Sequence, residues 1–165
     1  MLYSSEKEIK ENMITDYNSK KYSRYSFREI NSNSLDQYDD IQVHFKTNDK
    51  NYIIVSISGG IYNENKFDEC LKLKEEVIKE ISEIFPKSDK KDGGTSPWYE
   101  ADSTGKTITS QYFFYLGPEE YTDYIEVACY DWGAEAAEKY NAGDHFKLAL
   151  IEKTFGKWLS IDAWK

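Results

Sequence analysis

The sequence predicts an α+β protein, in which a mostly antiparallel sheet of about five to six strands carries a long amphipathic helix on one face. Two patterns support this fold class. Short segments with alternating apolar and polar residues are separated by turn residues, as in antiparallel hairpins. Residues 65–85 instead repeat their apolar side chains at helical spacing and end at Pro86. With 165 residues the chain suits one domain, which we expect to span residues 1–165.

The first half of the chain predicts a helix, a strand and a hairpin before the long helix. Residues 5–8 have the Ser-x-x-Glu form of a capping box, so we expect a short helix over residues 5–17. Residues 20–30 are rich in Tyr and Ser and predict a strand, and residues 31–40 predict a polar loop. Residues 41–46 and 52–58 alternate apolar and polar side chains around an Asn- and Asp-containing turn, which indicates a hairpin.

The second half predicts further strands and two helices. Residues 87–95 are charged and contain two glycines, so we interpret them as a surface loop. Residues 98–102 and 106–116 flank a Ser-Thr-Gly turn and predict a second hairpin. A strand over residues 124–132, a short helix over residues 134–140, a strand over residues 145–151 and a helix over residues 154–164 complete the prediction.

The two cysteines leave two alternatives open. Cys70 lies on the apolar stripe of the long helix and Cys129 on the inward face of a strand. We favour reduced thiols packed in the core. The alternative is a Cys70–Cys129 disulfide, which would stabilise the fold by roughly 4 kcal/mol and would indicate an exported protein.

The charge of the chain limits its partners. Its net charge of −9 disfavours nucleic acid and anionic membrane surfaces and attracts a basic protein. No apolar stretch is long enough to cross a bilayer, so we expect no membrane insertion. Residues 1–21 lack the apolar segment of a signal peptide, which predicts a cytoplasmic protein, either a monomer or a small homo-oligomer. A chain whose signal peptide had been removed would look the same, and it would be periplasmic or exported.

No pattern in the sequence indicates catalysis. His44 is expected to be solvated on the polar face of its strand, and His145 is expected to pair with Asp144 at a strand edge. Both cysteines point to the core, where thiols are unreactive. The glycine pairs do not match a phosphate-binding loop, and no Cys, His or acidic spacing matches a metal site. We therefore predict no catalytic residue, no cofactor and no metal.

Acidic and aromatic residues alternate in three predicted loops, and they form the candidate surface for a protein partner. Tyr and Trp supply rigid contact area, while carboxylates supply charge complementarity. The alternative is that these aromatic residues pack in the core and the acids remain solvated. The candidate residues are Trp98, Tyr99, Glu100, Asp102, Glu119, Glu120, Tyr121, Asp123, Asp131 and Trp132.

The sequence has Cys-Tyr-Asp-Trp at residues 129–132, and the predicted strand 145–151 leads into Phe155, Trp158 and Leu159. These features resemble small bacterial immunity proteins that neutralise polymorphic or secreted antibacterial toxins. The resemblance covers about residues 41–165, and such families share no common motif. It implies tight binding that occludes a toxin active site. Our leading hypothesis is therefore a non-catalytic immunity protein that binds its toxin through the acidic, aromatic surface. The alternative is an exported envelope protein that binds a small molecule or peptide.

Overall fold

The computed structural model describes residues 13–14, 21–26, 37–63, 66–118 and 122–163 of the chain. The elements in chain order are β1 (Met13–Ile14), β2 (Tyr22–Ser26), β3 (Asp40–Lys46), β4 (Ile54–Tyr62), α1 (Phe67–Ile84), β5 (Asp89–Pro97), β6 (Ile108–Tyr115), β7 (Tyr124–Asp131), α2 (Ala134–Tyr140), β8 (His145–Ile151) and α3 (Lys153–Ile161).

The strands form one open antiparallel sheet in the order β1-β2-β3-β4-β8-β7-β6-β5. Two meanders meet at its centre, where β4 pairs with β8. Helix α1 carries the chain from β4 to the outer edge strand β5, and the second meander returns from there to the centre. This arrangement confirms the predicted α+β class. The predicted strand count was too low, because seven strands have five or more residues and β1 adds a two-residue strand.

Strand β5 is the element that the sequence did not reveal. Residues 87–95 were predicted to be a loop, but Asp89–Pro97 pairs with β6 along its length. Every side chain of β5 is exposed, so the strand has no buried face to produce an alternating pattern. Three features protect this edge strand from pairing with other chains. They are its charged residues, its proline (Pro97), and a bulge at Gly94, where φ is 68°. The predicted strand over residues 98–102 is wrong, because this segment forms turns between β5 and β6.

The N-terminal predictions are tested only in part. Residues 13–14 of the predicted helix form β1, where Met13 pairs with Tyr25, so the helix prediction is wrong at these two positions. The rest of residues 5–17 lies outside the described part of the chain. The strand predicted over residues 20–30 is confirmed at β2. Residues 27–36, which include most of the predicted loop, are also outside the described ranges.

Helix α1 packs on one face of the sheet, against β7 and β8. The buried residues of this core are Cys70, Phe114, Ile125, Val127, Cys129 and Phe146. Cys70 of α1 and Cys129 of β7 form a disulfide, so the prediction of reduced thiols was wrong and the alternative was right. Their sulfur atoms meet because the apolar stripe of α1 and the inward face of β7 pack against each other, as the two patterns require.

Helix α3 packs on the opposite face, at the end of the sheet near Tyr124. Phe155 and Trp158 of α3 contact Tyr22, whose ring centroid lies 4.9 Å and 4.7 Å from theirs. The helix approaches the sheet closely at Gly156, where a Cβ atom would lie 2.5 Å from the Tyr124 hydroxyl oxygen. The two helices therefore lie on different faces, and α3 covers only one end of its own face.

We predict that loss of the disulfide destabilises the fold substantially. Cys70 and Cys129 are 59 positions apart, and a loop of this length corresponds to about 4 kcal/mol in the chain-entropy model. Urea unfolding of the oxidised protein and of the Cys70→Ala/Cys129→Ala variant measures the difference. The oxidised protein should also weigh less than the reduced one by the mass of two hydrogen atoms. Equal unfolding midpoints for the oxidised and reduced wild-type protein would contradict the prediction.

Candidate functional site

The sheet face opposite α1 is concave and polar. Since side chains alternate along a strand, Ile125, Val127 and Cys129 of β7 face α1, whereas Glu126 and Tyr130 face the other way. Between α3 at one end and the segments around Trp98 and Trp132 at the other lies a cavity of about 870 Å³. Ligand sites in proteins typically enclose about 300–1,000 Å³.

A buried ion pair forms the floor of this cavity. The Lys147 ammonium of β8 donates a hydrogen bond of 2.8 Å to Glu126, whose side chain lies almost fully inside the protein. The same carboxylate also accepts hydrogen bonds from the Gln111 amide at 2.8 Å and the Tyr130 hydroxyl at 3.1 Å. Burial alone raises the pKa of Glu126, but the Lys147 charge and these hydrogen bonds lower it below its ordinary value. Glu126 is therefore ionised and fully hydrogen-bonded.

His44 of β3 lies in the wall of the cavity at the α3 end and is only 7% exposed. Its ring packs against Phe155, with 4.9 Å between the centroids. Within the described ranges neither ring nitrogen has a hydrogen-bond partner. Burial, with the positive charges of Arg24 and Lys147, lowers the pKa of His44 to about 3, so the ring is neutral at pH 7. A buried polar group without a partner costs roughly 1–3 kcal/mol and requires an explanation.

Aromatic rings form the opposite end of the cavity. Trp98 lies 5.5 Å from Tyr130 and 5.5 Å from Trp132, and Trp132 lies 6.0 Å from Tyr140, measured between ring centroids. Tyr130 also stacks on His145 at 4.8 Å. The backbone N–H of Trp132 donates to Asp144, but its indole Nε1 is buried and has no partner in the part of the chain that the structure describes. We call these four rings, Trp98, Tyr130, Trp132 and Tyr140, the aromatic wall.

The predictions for the two histidines were wrong about their surroundings. His44 is not solvated, and His145 does not pair with Asp144, since its Nδ1 lies 2.7 Å from the Gly143 carbonyl oxygen. Burial is the main cause that lowers the pKa of His145. Both rings line one cavity, which sequence reasoning missed. The sequence could show only that both histidines occur on the polar sides of their strands. The cavity forms on this side of the sheet because α3 and the loops enclose it.

The predicted partner surface divides into two separate regions. Trp98, Tyr99, Glu100 and Trp132 line the aromatic end of the cavity together. Asp123 lies at the other end of β7, whose eight residues extend over about 24 Å. Glu119, Glu120 and Tyr121 are outside the described residues.

Two of the predicted partner residues have different surroundings from those expected. Asp102 is buried and accepts hydrogen bonds from the hydroxyl and backbone N–H groups of Thr104 and Thr107, which hold its pKa at about 2 and shape the turn before β6. Asp131 is half-buried, and burial followed by the nearby charge of Asp144 raises the pKa of its carboxyl group. The side chain of Asp102 is therefore occupied by hydrogen bonds within the fold, and its role in partner binding stays a prediction.

Among the residues described, no three or more His, Cys, Asp or Glu side chains are grouped in a way that could hold a metal ion. No helix in the same ranges is both long and apolar enough to span a membrane.

The fold and the site thus define an α+β open-sheet protein with a polar, aromatic-walled cavity on the face opposite its long helix. Comparisons with protein-family models, curated proteins and solved structures found no match. Any functional inference therefore rests on the geometry of the cavity.

We predict that His44 makes the protein sensitive to acid. Because the pKa of His44 is about 3 in the folded state and near 6.5 when solvated, only the unfolded state binds its proton between these values. Stability should therefore fall as the pH is lowered from about 6.5 to 3, by up to about 1.4 kcal/mol per pH unit from this residue. In the variant His44→Phe this slope should be shallower, and stability at pH 7 should rise by about 1–3 kcal/mol.

Urea unfolding at a series of pH values measures both effects. Above pH 7 the stability curves of the wild type and His44→Phe should be parallel, which serves as the internal control. The same acid slope in both proteins would show that His44 is not buried in its neutral form.

Proposed function

We propose that this protein is a non-catalytic binding protein and that the concave face is its binding site for a small molecule or peptide. One observation carries the proposal. His44 and Trp132 line a cavity of ligand size, and the ring nitrogens of His44 and the indole Nε1 of Trp132 are buried without a partner in the described chain. Native proteins rarely leave such atoms unpaired, and a bound ligand is one way to supply the missing hydrogen bonds.

The groups in the cavity favour binding over catalysis. A general acid or base needs a free group with a pKa near the working pH, whereas Glu126 is ionised and held by three donors. No carboxylate among the described residues bonds to a ring nitrogen of neutral His44 to orient it, and a nucleophile next to a base is the usual arrangement in covalent catalysis. The only two cysteines of the chain are joined to each other.

The disulfide supports export of this binding protein. Disulfides persist in oxidising compartments such as the bacterial periplasm and the cell exterior, and they are uncommon in a reducing cytosol. A disulfide between α1 and β7 lies directly behind the floor of the cavity, so it holds the strand that carries Glu126. An exported protein that binds its ligand outside the cytosol accounts for both the disulfide and the cavity in front of it.

The binding site can be tested by NMR on the indole groups. The Nε1–H resonance of Trp132 is assigned by its loss in Trp132→Phe, which keeps an aromatic ring. The ligands are a mixed library of small peptides, organic acids, nucleosides and saccharides. We expect at least one compound to shift the Trp132 resonance without shifting that of Trp158, which packs in the core under α3. If no class of compound moves the Trp132 resonance, the concave face is not a binding site.

The second candidate is an immunity-type inhibitor of a basic toxin. It is supported by the gathering of Trp98, Tyr99, Glu100 and Trp132 at one mouth of the cavity, where Tyr99 is 63% exposed. An exposed aromatic side chain beside a carboxylate in a chain of net charge −9 suits a basic protein surface.

Binding to the protein encoded by the neighbouring gene tests this second candidate. In biolayer interferometry, Tyr99→Ala and Glu100→Lys should each weaken the complex about tenfold or more, a loss of about 1.4 kcal/mol. The matched control is Glu76→Lys, which makes the same charge change on an exposed position of α1. The absence of any complex, or an equal loss with Glu76→Lys, would exclude capture through this mouth.

A further inference from the structure

The charge of the cavity lining differs from the charge of the chain. The whole protein carries a net charge of −9, but the described residues that line the cavity include three cationic side chains (Arg24, Lys139, Lys147) and three carboxylates (Asp40, Glu100, Glu126), and the two histidines among them have lowered pKa values. The charges of these described residues sum to zero, so they provide no excess of one sign to attract a phosphate or a polycation. The lining therefore selects for an uncharged ligand.

The hydrogen-bonding groups of the lining are of the kind that hydroxyl groups satisfy. A neutral imidazole presents one donor and one acceptor, and His44 has no described partner for either. The hydroxyls of Ser56 and Ser58 lie on the same face, on the neighbouring strand β4. Each hydroxyl can both donate and accept, as a ligand hydroxyl does. The wall on this side suits a ligand that carries several hydroxyl groups.

The aromatic wall adds an apolar surface at the other end. Trp98, Trp132 and Tyr140 are each half-buried, so each ring retains exposed area. The C–H faces of a pyranose ring are apolar and can stack on such rings, while its hydroxyls point outward to polar groups. The indole Nε1–H of Trp132 is a donor with no described partner and can serve one of these hydroxyls.

We propose that the ligand of the concave face is a short, neutral saccharide, with sugar rings against the aromatic wall and hydroxyls bound by His44 and Trp132. The proposal rests on the binding function proposed above and specifies its ligand class. The ring nitrogens of both residues expose almost no surface, so binding requires small rotations of the two side chains. An apolar ligand would leave the ring nitrogens of His44 and Trp132 without hydrogen-bond partners, and the charge balance disfavours an ionic one.

Isothermal titration calorimetry with defined sugars at pH 7 tests the proposal. The probes are maltotriose, cellotriose, lactose and N,N′-diacetylchitobiose, compared with the charged sugars glucuronic acid and glucose 6-phosphate and with the neutral peptide triglycine. We expect saturable binding of at least one neutral saccharide and no binding of triglycine. The affinity of the protein for the neutral saccharide should change less than about twofold between low salt and about 0.5 M salt, because salt does not screen the interaction with an uncharged ligand.

Three variants locate the binding. Trp132→Phe and His44→Phe keep an aromatic ring and remove the nitrogens, and each should weaken saccharide binding about tenfold, which corresponds to one lost hydrogen bond. Phe85→Ala removes an aromatic ring at the end of α1, outside the cavity, and should leave affinity unchanged. Because His44→Phe is expected to be more stable than the wild type, weaker binding by this variant would not reflect misfolding.

Each negative result has a distinct meaning. If triglycine or a charged sugar shifts the Trp132 indole resonance and no neutral saccharide does, the saccharide proposal is wrong and the binding site stands. If a neutral saccharide binds equally well to the wild type, Trp132→Phe and His44→Phe, the assignment to this face is wrong. If no compound of any class shifts the resonance, both the ligand class and the proposed function are overturned.

Discussion

Strand β7 is the constraint on which the rest of the structure depends, because it is buried on both faces. All six residues from Ile125 to Tyr130 are buried. On one face its apolar side chains and Cys129 hold α1, and on the other Glu126 must remain charged in an enclosed environment. A buried carboxylate persists only with a counter-charge and hydrogen-bond donors, so Lys147, Gln111 and Tyr130 are required where they stand.

The two faces of the sheet therefore have different physical roles. The face under α1 is largely apolar, apart from a buried hydrogen bond from Lys74 to Ser110, and the disulfide adds a covalent link between the helix and β7. The concave face combines an ion pair with buried polar atoms that have no partner among the described residues, an arrangement that reduces stability. Such unfavourable features in native proteins concentrate at functional sites, where other parts of the fold offset their cost. The apolar core and the disulfide supply that stability here.

The elements that periodicity predicted are those with one apolar face and one polar face. The hairpin of β3 and β4, the long helix α1 and the strands β7 and β8 were found within a few residues of their bounds, because two chemically different faces impose a period of two or 3.6. Strand β5 has no buried side chain and is held in the sheet mainly by backbone pairing with β6, so its residues carry no such period. For the candidate site, the shared surface of Trp98, Tyr99, Glu100 and Trp132 was predicted, but the separation of Asp123 and the turn role of Asp102 were not.

By itself the sequence determined the fold class, the long helix and the inward positions of Cys70 and Cys129, because these follow from local patterns of burial. Only the tertiary structure decided that the two cysteines are bonded and that the polar face of the sheet is a cavity. The physical reason is that both outcomes depend on distances between segments far apart in the chain. A polar residue on a strand has the same sequence pattern whether it faces open solvent or, like His44 beneath α3, an enclosed site.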